Sequence, residues 1–116
     1  MADLRQVVLS AKITDVGTAE TIVIPITENS AGQLKRVTHA LGAAISGADS
    51  KIIISKNGTV LTNGTITVAY TSSAAGDIDY QDFGTVFVKA GDYITIANGG
   101  ESTGAAVGVV VIDIAR

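Results

Sequence analysis

The densest group of potential metal ligands in this 116-residue sequence is the segment GDIDYQD. Asp77, Asp79 and Asp82 supply three carboxylates close together, and hard cations such as calcium bind oxygen ligands of this kind in loops. The spacing does not match an EF-hand loop, which needs a glutamate at its twelfth position. We therefore expect these aspartates to cap turns on a solvated loop, and a metal site is the weaker alternative. No cofactor is expected.

The single histidine, His39, is the other residue with catalytic potential. It alternates with Val37 and Leu41 along an apolar pattern, as a side chain on one face of a strand would. A nucleophilic site needs a base, a nucleophile and a third group that orients the base, and the sequence indicates no such set. We interpret His39 as a packed, hydrogen-bonded residue or as part of a contact between subunits. The protein is not expected to be an enzyme.

The composition restricts the classes of partner. Hydrophobic residues make up 47% of the chain and charged residues 16%, so some apolar surface is expected to be covered by a partner protein. The net charge is −3 and the eight basic residues are scattered, which argues against nucleic-acid binding. No apolar run approaches the length of a membrane-spanning helix. The chain also lacks cysteine and a recognisable secretion signal, so synthesis in a cytoplasm is expected.

The tripeptide Asn-Gly-Thr occurs twice, at Asn57 and Asn63. Both copies fit the N-glycosylation pattern, but a protein made in the cytoplasm would not meet that machinery. Asn-Gly between two β-type runs is a strong hairpin signal, because both residues tolerate the positive φ of a type I′ turn. We therefore predict tight turns at Asn57 and Asn63, and a third at Asn98-Gly99.

Alternating apolar residues and many β-branched side chains predict an all-β protein. Pro25 lies inside one of the strand patterns, which indicates an edge position or a bulge because proline cannot donate to the ladder. The segment 71–84 is predicted to be a long polar loop. The predicted strands are Leu4–Thr14, Glu20–Thr27, Leu34–Leu41, Lys51–Lys56, Gly64–Tyr70, Thr85–Lys89, Asp92–Asn98 and Ala105–Ile114.

The last predicted strand is apolar on both faces. Val107, Val109 and Val111 share one face, while Val110, Ile112 and Ile114 share the other. A surface strand of an antiparallel sheet normally has one polar face. The pattern therefore predicts that the valine face is covered, either by a second subunit or by a loop of the same chain. In the first case a subunit interface would comprise His39, Val107, Val109 and Val111.

Eight short strands without a long helix predict an antiparallel β-sandwich, and eight strands favour a jelly roll over a seven-stranded immunoglobulin-like domain. The expected organisation is a short N-terminal arm over residues 1–5 and a single sandwich domain over residues 6–116.

The long runs KRVTHALGAAISGADSKIIISKNGTVLTNGTITVAYTSSAAGDID and VKAGDYITIANGGESTGAAVGVVVIDI resemble small β-sandwich proteins encoded in the genomes of tailed phages. Such proteins are similar to capsid decoration, or cement, proteins. The AGD strand start and the GGEST turn also look like the trimeric jelly rolls of tumour-necrosis-factor-like and complement-type head domains.

The resemblance implies a structural virion protein that forms a homotrimer with a jelly-roll-like fold. Its expected partner is the major capsid protein, bound on the capsid exterior at threefold or quasi-threefold positions, where the protein would stabilise the head. The capsid contact is expected at the N-terminal arm, through Ala2, Asp3, Leu4 and Arg5, and at adjacent loops. A receptor- or glycan-binding module associated with the tail or head is the alternative, because jelly rolls host both kinds of function.

Overall fold

The computed structural model describes residues 6–116, which form eight strands in two antiparallel four-stranded sheets. This confirms the all-β sandwich. The described chain contains no helix that could span a membrane. The strands are β1 (Gln6–Ile13), β2 (Glu20–Pro25), β3 (Gly32–Leu41), β4 (Ser50–Lys56), β5 (Thr59–Val68), β6 (Ile78–Val88), β7 (Tyr93–Asn98) and β8 (Gly108–Ala115).

The strand order is that of a jelly roll. The first sheet has the order β1-β8-β3-β6 and the second sheet has the order β2-β7-β4-β5. Strand β1 pairs with β8, β2 with β7, β3 with β6 and β4 with β5, all antiparallel. The chain is therefore one long antiparallel ribbon wrapped into two packed sheets.

The core lies between the two sheets and is built from alternate residues of the central strands. On β8, Val110, Ile112 and Ile114 have no exposed surface and face the core. The β-branched side chains that predict strands thus also fill the core, since the strand period of two sends every second one inward. The second sheet contributes Ile52, Ile54, Ile94 and Ile96, which are likewise fully buried.

The first Asn-Gly pair forms the predicted hairpin turn. Asn57 and Gly58 join β4 to β5 with φ of 51° and 87°, as a type I′ turn requires. The Asn57 side chain also ties the turn to the next strand, because its Nδ2 donates to Asp92 and its Oδ1 accepts from the amide of Tyr93. The turn therefore fixes the register of β4 and β5.

Replacing Gly58 by alanine should lower the free energy of unfolding by about 1 kcal/mol, because an L side chain strains the left-handed conformation. The added Cβ would lie 3.6 Å from the Tyr93 hydroxyl, an ordinary contact, so backbone strain is the main effect. The matched control is Gly84→Ala, whose Cβ meets nothing within 4 Å. Urea unfolding of both variants measures the difference, and equal stability would contradict the strained turn.

The second and third Asn-Gly predictions are wrong. Asn63 has φ of 60° but lies inside β5, where Ile53 pairs with Thr65 and Ser55 pairs with Val60. Residues 61–64 therefore form a four-residue bulge opposite the single residue Ile54 of β4. Asn98 ends β7, where it is buried and makes no turn of its own.

Strand β6 corrects the prediction of a loop over 71–84. The strand begins at Ile78 and runs through the acidic segment, with Asp79 paired to His39 and Asp82 paired to Arg36. The register then shifts, so that residues 83–85 bulge out between Asp82 and Val86. Pro25, in contrast, lies where it was predicted, on the edge strand β2.

Candidate interaction surfaces

The outer face of the first sheet, the side that points away from the core, carries an uncovered apolar patch. Val109, Ala40 and Ile78 lie in one cross-strand row, and Val111, Thr38 and Tyr80 lie in the next. Ile78 is 64% exposed, Tyr80 51% and Val109 40%. These six residues are called the outer-face patch below.

The structure confirms that the last strand, β8, has apolar residues on both of its faces. Val109 and Val111 point outward from β8, whereas their neighbours in the strand point into the core. Val107 precedes the strand and is 40% exposed. Val107 and Val109 each remain 40% exposed, so no loop within residues 6–116 covers them fully. A subunit contact through these valines stays a prediction.

The prediction that His39 lies at a subunit interface is wrong. Its side chain points from β3 into the core and has no exposed surface, so no second subunit can contact it while the sandwich is intact. Neither ring nitrogen has a hydrogen-bond partner among the described residues. The expectation of a packed residue is therefore correct, and that of a hydrogen-bonded one is not.

Burial lowers the pKa of His39 to about 4, because a charged imidazolium would lose its hydration in the core. The ring fits beside β8 only because residue 108 is glycine, since a Cβ there would collide with Nε2 of His39. The structure thus holds His39 as a neutral, buried side chain, which is not an arrangement for acid-base catalysis.

The three candidate metal ligands are not brought together. Asp77 caps a turn, accepting from the amide of Ala74 at 2.9 Å, as expected for a loop aspartate. Asp82 points outward and pairs with Arg36, while Asp79 is half-buried on the other face of β6. Among residues 6–116, no group of three or more His, Cys, Asp or Glu side chains could hold a metal ion.

A charged row borders the outer-face patch. Arg36 on β3 lies between Asp113 on β8 and Asp82 on β6, its direct partners in the two ladders. Its guanidinium donates to Asp82 at 2.6 Å and stacks 4.0 Å from the ring centroid of Tyr80. The hydrogen bond from Arg36 lowers the pKa of Asp82. The row therefore separates the apolar patch from a polar cleft next to it.

This cleft, of about 460 Å³, lies where the bulges of β3 and β6 distort the sheet. Bulges redirect side chains and interrupt the regular pleat, which accounts for a depression on a sheet face. Its polar lining comprises Gln6, Lys35, Arg36, Asp82 and Asp113. Sequence reasoning did not find the cleft, because the bulges depend on strand pairing.

The predicted capsid-contact residues Ala2, Asp3, Leu4 and Arg5 lie outside the described residues. The expectation attached to the N-terminal arm is therefore untested.

No known protein family and no curated protein sequence matches the chain. Among solved structures, the catalytic unit of a thermostable GH87 alpha-1,3-glucanase from Streptomyces thermodiastaticus is similar, with a TM-score of 0.51 and 19% identity over 99% of this chain. Dimeric latent PorU from Porphyromonas gingivalis has a TM-score of 0.49 at 14% identity over 100% of this chain. The insecticidal delta-endotoxin Cry8Ea1 from Bacillus thuringiensis has a TM-score of 0.39 at 15% identity over 96% of this chain.

The chain spans only 26%, 13% and 19% of these three proteins, respectively. At such low identity, the similarity to the glucanase concerns the β-sandwich fold alone. The likeness to the other two is too weak to support an argument. Function must therefore be argued from the surfaces of this chain.

Proposed function

We propose that this protein is a structural component of a phage virion, a decoration protein that binds the outside of the capsid as a homotrimer and stabilises the head. The partner is the major capsid protein, at threefold or quasi-threefold positions. The observation that carries the proposal is the outer-face patch, an apolar area that the described residues leave uncovered. The resemblance to tailed-phage proteins supplies the identity of the surface to which it binds.

Stabilisation would follow from mass action, because a protein that binds only the assembled shell shifts the equilibrium toward that shell. A homotrimer is closed by heterologous contacts, in which one surface of each copy meets a different surface of the next, and the outer-face patch would supply one of these two surfaces. A wrapped, two-layered β-sandwich suits this role because it presents the patch on a sheet rather than on a loop.

Val109→Lys should convert the trimer to a monomer, because a charge within the outer-face patch would be buried without a partner. Val60→Lys is the matched control, since Val60 is 56% exposed on β5 of the second sheet. Light scattering after size exclusion measures the oligomeric state of both variants. A monomeric wild-type protein, or a trimer that tolerates Val109→Lys, would contradict the assignment of the patch.

The capsid part of the proposal has its own test. Wild-type protein is added to purified heads of the phage that encodes it, stripped of this protein, and bound protein is measured by sedimentation with the heads. We expect saturable binding and a higher temperature of head disassembly. Absence of binding by a correctly assembled trimer would overturn the decoration role.

A second candidate function, binding of a glycan receptor, is favoured by the polar cleft. Its volume falls within the range of small-ligand sites, and its amide, carboxylate and cationic groups could all bond to sugar hydroxyls. A glycan array separates the two functions, because a decoration protein should bind heads and no glycan.

A further inference from the structure

The two sides of the sandwich differ in how well they close the core. On the side formed by β1 and β2, called the open side below, core-facing residues remain partly exposed. Their ladder partners on the neighbouring strands β8 and β7 are fully buried. The partly exposed residues are Val7, Leu9 and Ala11 on β1 and Ile22 and Ile24 on β2.

The opposite side, formed by β5 and β6, is better closed. Phe83 is 4% exposed and Ile66 is 1% exposed, while Leu61 and Val86 are partly exposed. Gln81 bridges the sheets by donating from Nε2 to the carbonyl of Thr65 at 3.1 Å. Partial exposure of core-facing apolar residues is therefore more extensive at β1 and β2 than at β5 and β6.

The four edge strands also differ in their capacity to accept another strand. Strand β2 carries Pro25, β5 is interrupted by the bulge at 61–64, and β6 is interrupted by the bulge at 83–85. Proline and bulges are devices that prevent an edge from pairing further. Strand β1 has neither: all eight of its residues, Gln6–Ile13, pair in register with β8. Within residues 6–116, no strand occupies its other edge.

The free backbone groups at the edge of β1 determine what kind of partner can bind there. A partner that covers Val7 and Leu9 also buries the neighbouring backbone N–H and C=O groups of β1, which then need hydrogen-bond partners. The face of a sheet has no free backbone groups to offer, whereas a strand edge has. Strand β1 is the one edge strand of the described chain that has neither a proline nor a bulge. A second copy can therefore supply a matching edge only through its own β1.

We propose that β1 pairs with β1 of a second copy across a twofold axis, joining the two first sheets into one continuous eight-stranded sheet. A twofold perpendicular to the sheet makes the two strands antiparallel, and each contributes the same donors and acceptors. The contact brings the open sides of both copies together and covers their partly exposed core residues.

The pleat restricts the register of this contact. Val8, Ser10 and Lys12 face outward on β1 and must pair with outward residues of the other copy, or the apolar residues would change sides. Two registers satisfy this condition. In one, the twofold axis passes between the two copies of Leu9 and residues 6–12 of each strand pair. In the other, it passes between the two copies of Ser10 and residues 7–13 pair. Both registers avoid placing Lys12 opposite Lys12 of the second copy.

The contact has a consequence on a shell, and this part rests on the proposed function. Twofold axes relate neighbouring threefold positions of an icosahedral shell. The outer-face patch would hold the trimer, and β1 would link each trimer to its neighbours. The two contacts use different parts of the chain, so each can fail without the other.

Single cysteines test the pairing, because the natural chain has none. Leu9→Cys and Ser10→Cys are mildly oxidised at high protein concentration and examined on a non-reducing gel. We expect a disulfide-linked dimer from whichever residue lies on the axis. Thr67→Cys is the matched control, an exposed position on β5 at the opposite side of the sandwich, and should remain monomeric on the gel. No dimer from either β1 variant, or equal dimer from Thr67→Cys, would overturn the proposal.

Amide hydrogen exchange of the unmodified protein gives a second, mutation-free readout. The β1 amides that do not bond to β8 should be exchange-protected at high protein concentration and lose that protection at least tenfold on dilution. Free exchange of these amides at all concentrations would overturn the pairing, as would protection that appears only when heads are added.

Cysteine dimers that still form in Val109→Lys would separate this contact from the trimer contact. A trimer that binds heads without any pairing of β1 between copies would contradict this inference and leave the decoration role intact.

Discussion

Lowering the pH from about 6.5 to about 4 should remove about 3 kcal/mol from the free energy of unfolding, because His39 is buried as a neutral imidazole. Burial lowers its pKa from the ordinary 6.5 to about 4 in the folded chain. The unfolded chain therefore takes up a proton near pH 6.5, while the folded chain resists protonation. The stability contributed by the neutral ring is complete above pH 6.5 and is lost progressively as the pH falls toward 4.

The groups around His39 do not reverse this direction. Asp79 is its ladder partner on β6, and burial raises the pKa of Asp79, with a smaller effect from Asp77. A raised carboxyl pKa favours folding at the acidic end of the range and disfavours it above. The contribution of Asp79 therefore opposes that of His39, and its carboxyl is less buried than the imidazole.

The variant His39→Leu isolates the histidine. A leucine of similar size fills the site without a titrating group, so its stability should change much less between pH 7 and pH 4.5. Urea unfolding of wild type and variant at several pH values gives both curves. Parallel curves for the two proteins would show that other groups cause the acid sensitivity, and would contradict the assignment to His39.

The alternating patterns of the sequence were sufficient to predict the strands that build the core. Strand β3 shows why: Val37 and Leu41 alternate with exposed or half-exposed residues, and both are buried in the structure. In the last strand the two apolar faces were assigned correctly, because a period of two fixes which residues share a side. The period does not determine which of the two faces points to the core. That is determined by the packing of the second sheet against β8.

Other features depended on pairing between strands distant in sequence. The segment around Asp79 and Gln81 is polar and was predicted to be a loop, yet it pairs with β3 as an edge strand whose side chains reach solvent. Tertiary pairing here overrides a weak local strand preference. The bulge at Asn63 has the same origin, since Asn-Gly favours positive φ without determining whether a hairpin or a bulge uses it.

The candidate surfaces divide in the same way. The valine face could be predicted from one strand, since its members are neighbours in the sequence. The open side could not, because it exists only where β1 and β2 are both edge strands, and strand order is not a local property. His39 was assigned to an interface because an apolar strand face looks the same in sequence whether it meets the second sheet or a second subunit.

Replacing Asn98 by alanine should lower the free energy of unfolding by about 2 kcal/mol, because the buried carbonyl of Val16 and the part-buried carbonyl of Thr18 would each lose a donor. Asn98 is 3% exposed, and its Nδ2 donates to the carbonyls of Val16 at 2.9 Å and Thr18 at 2.8 Å. These bonds attach the connection between β1 and β2 to the end of β7. Ser50 also donates to the carbonyl of Val16, so in the variant that carbonyl would keep a donor, whereas the carbonyl of Thr18 would turn to water.

The control for this variant is Thr21→Ala, an exposed position on β2 whose ladder partner Ala97 is the neighbour of Asn98 in sequence. It should change stability by less than about 0.5 kcal/mol, as surface substitutions usually do. Both variants are measured by urea unfolding at pH 7, where His39 is neutral. A loss at Asn98 no larger than that at Thr21 would mean that water replaces the amide, and that the connection between β1 and β2 is held by Ser50 and the backbone instead. A large loss would show that the third Asn-Gly pair matters for its buried amide, which anchors a loop beside the open side, and not for a turn.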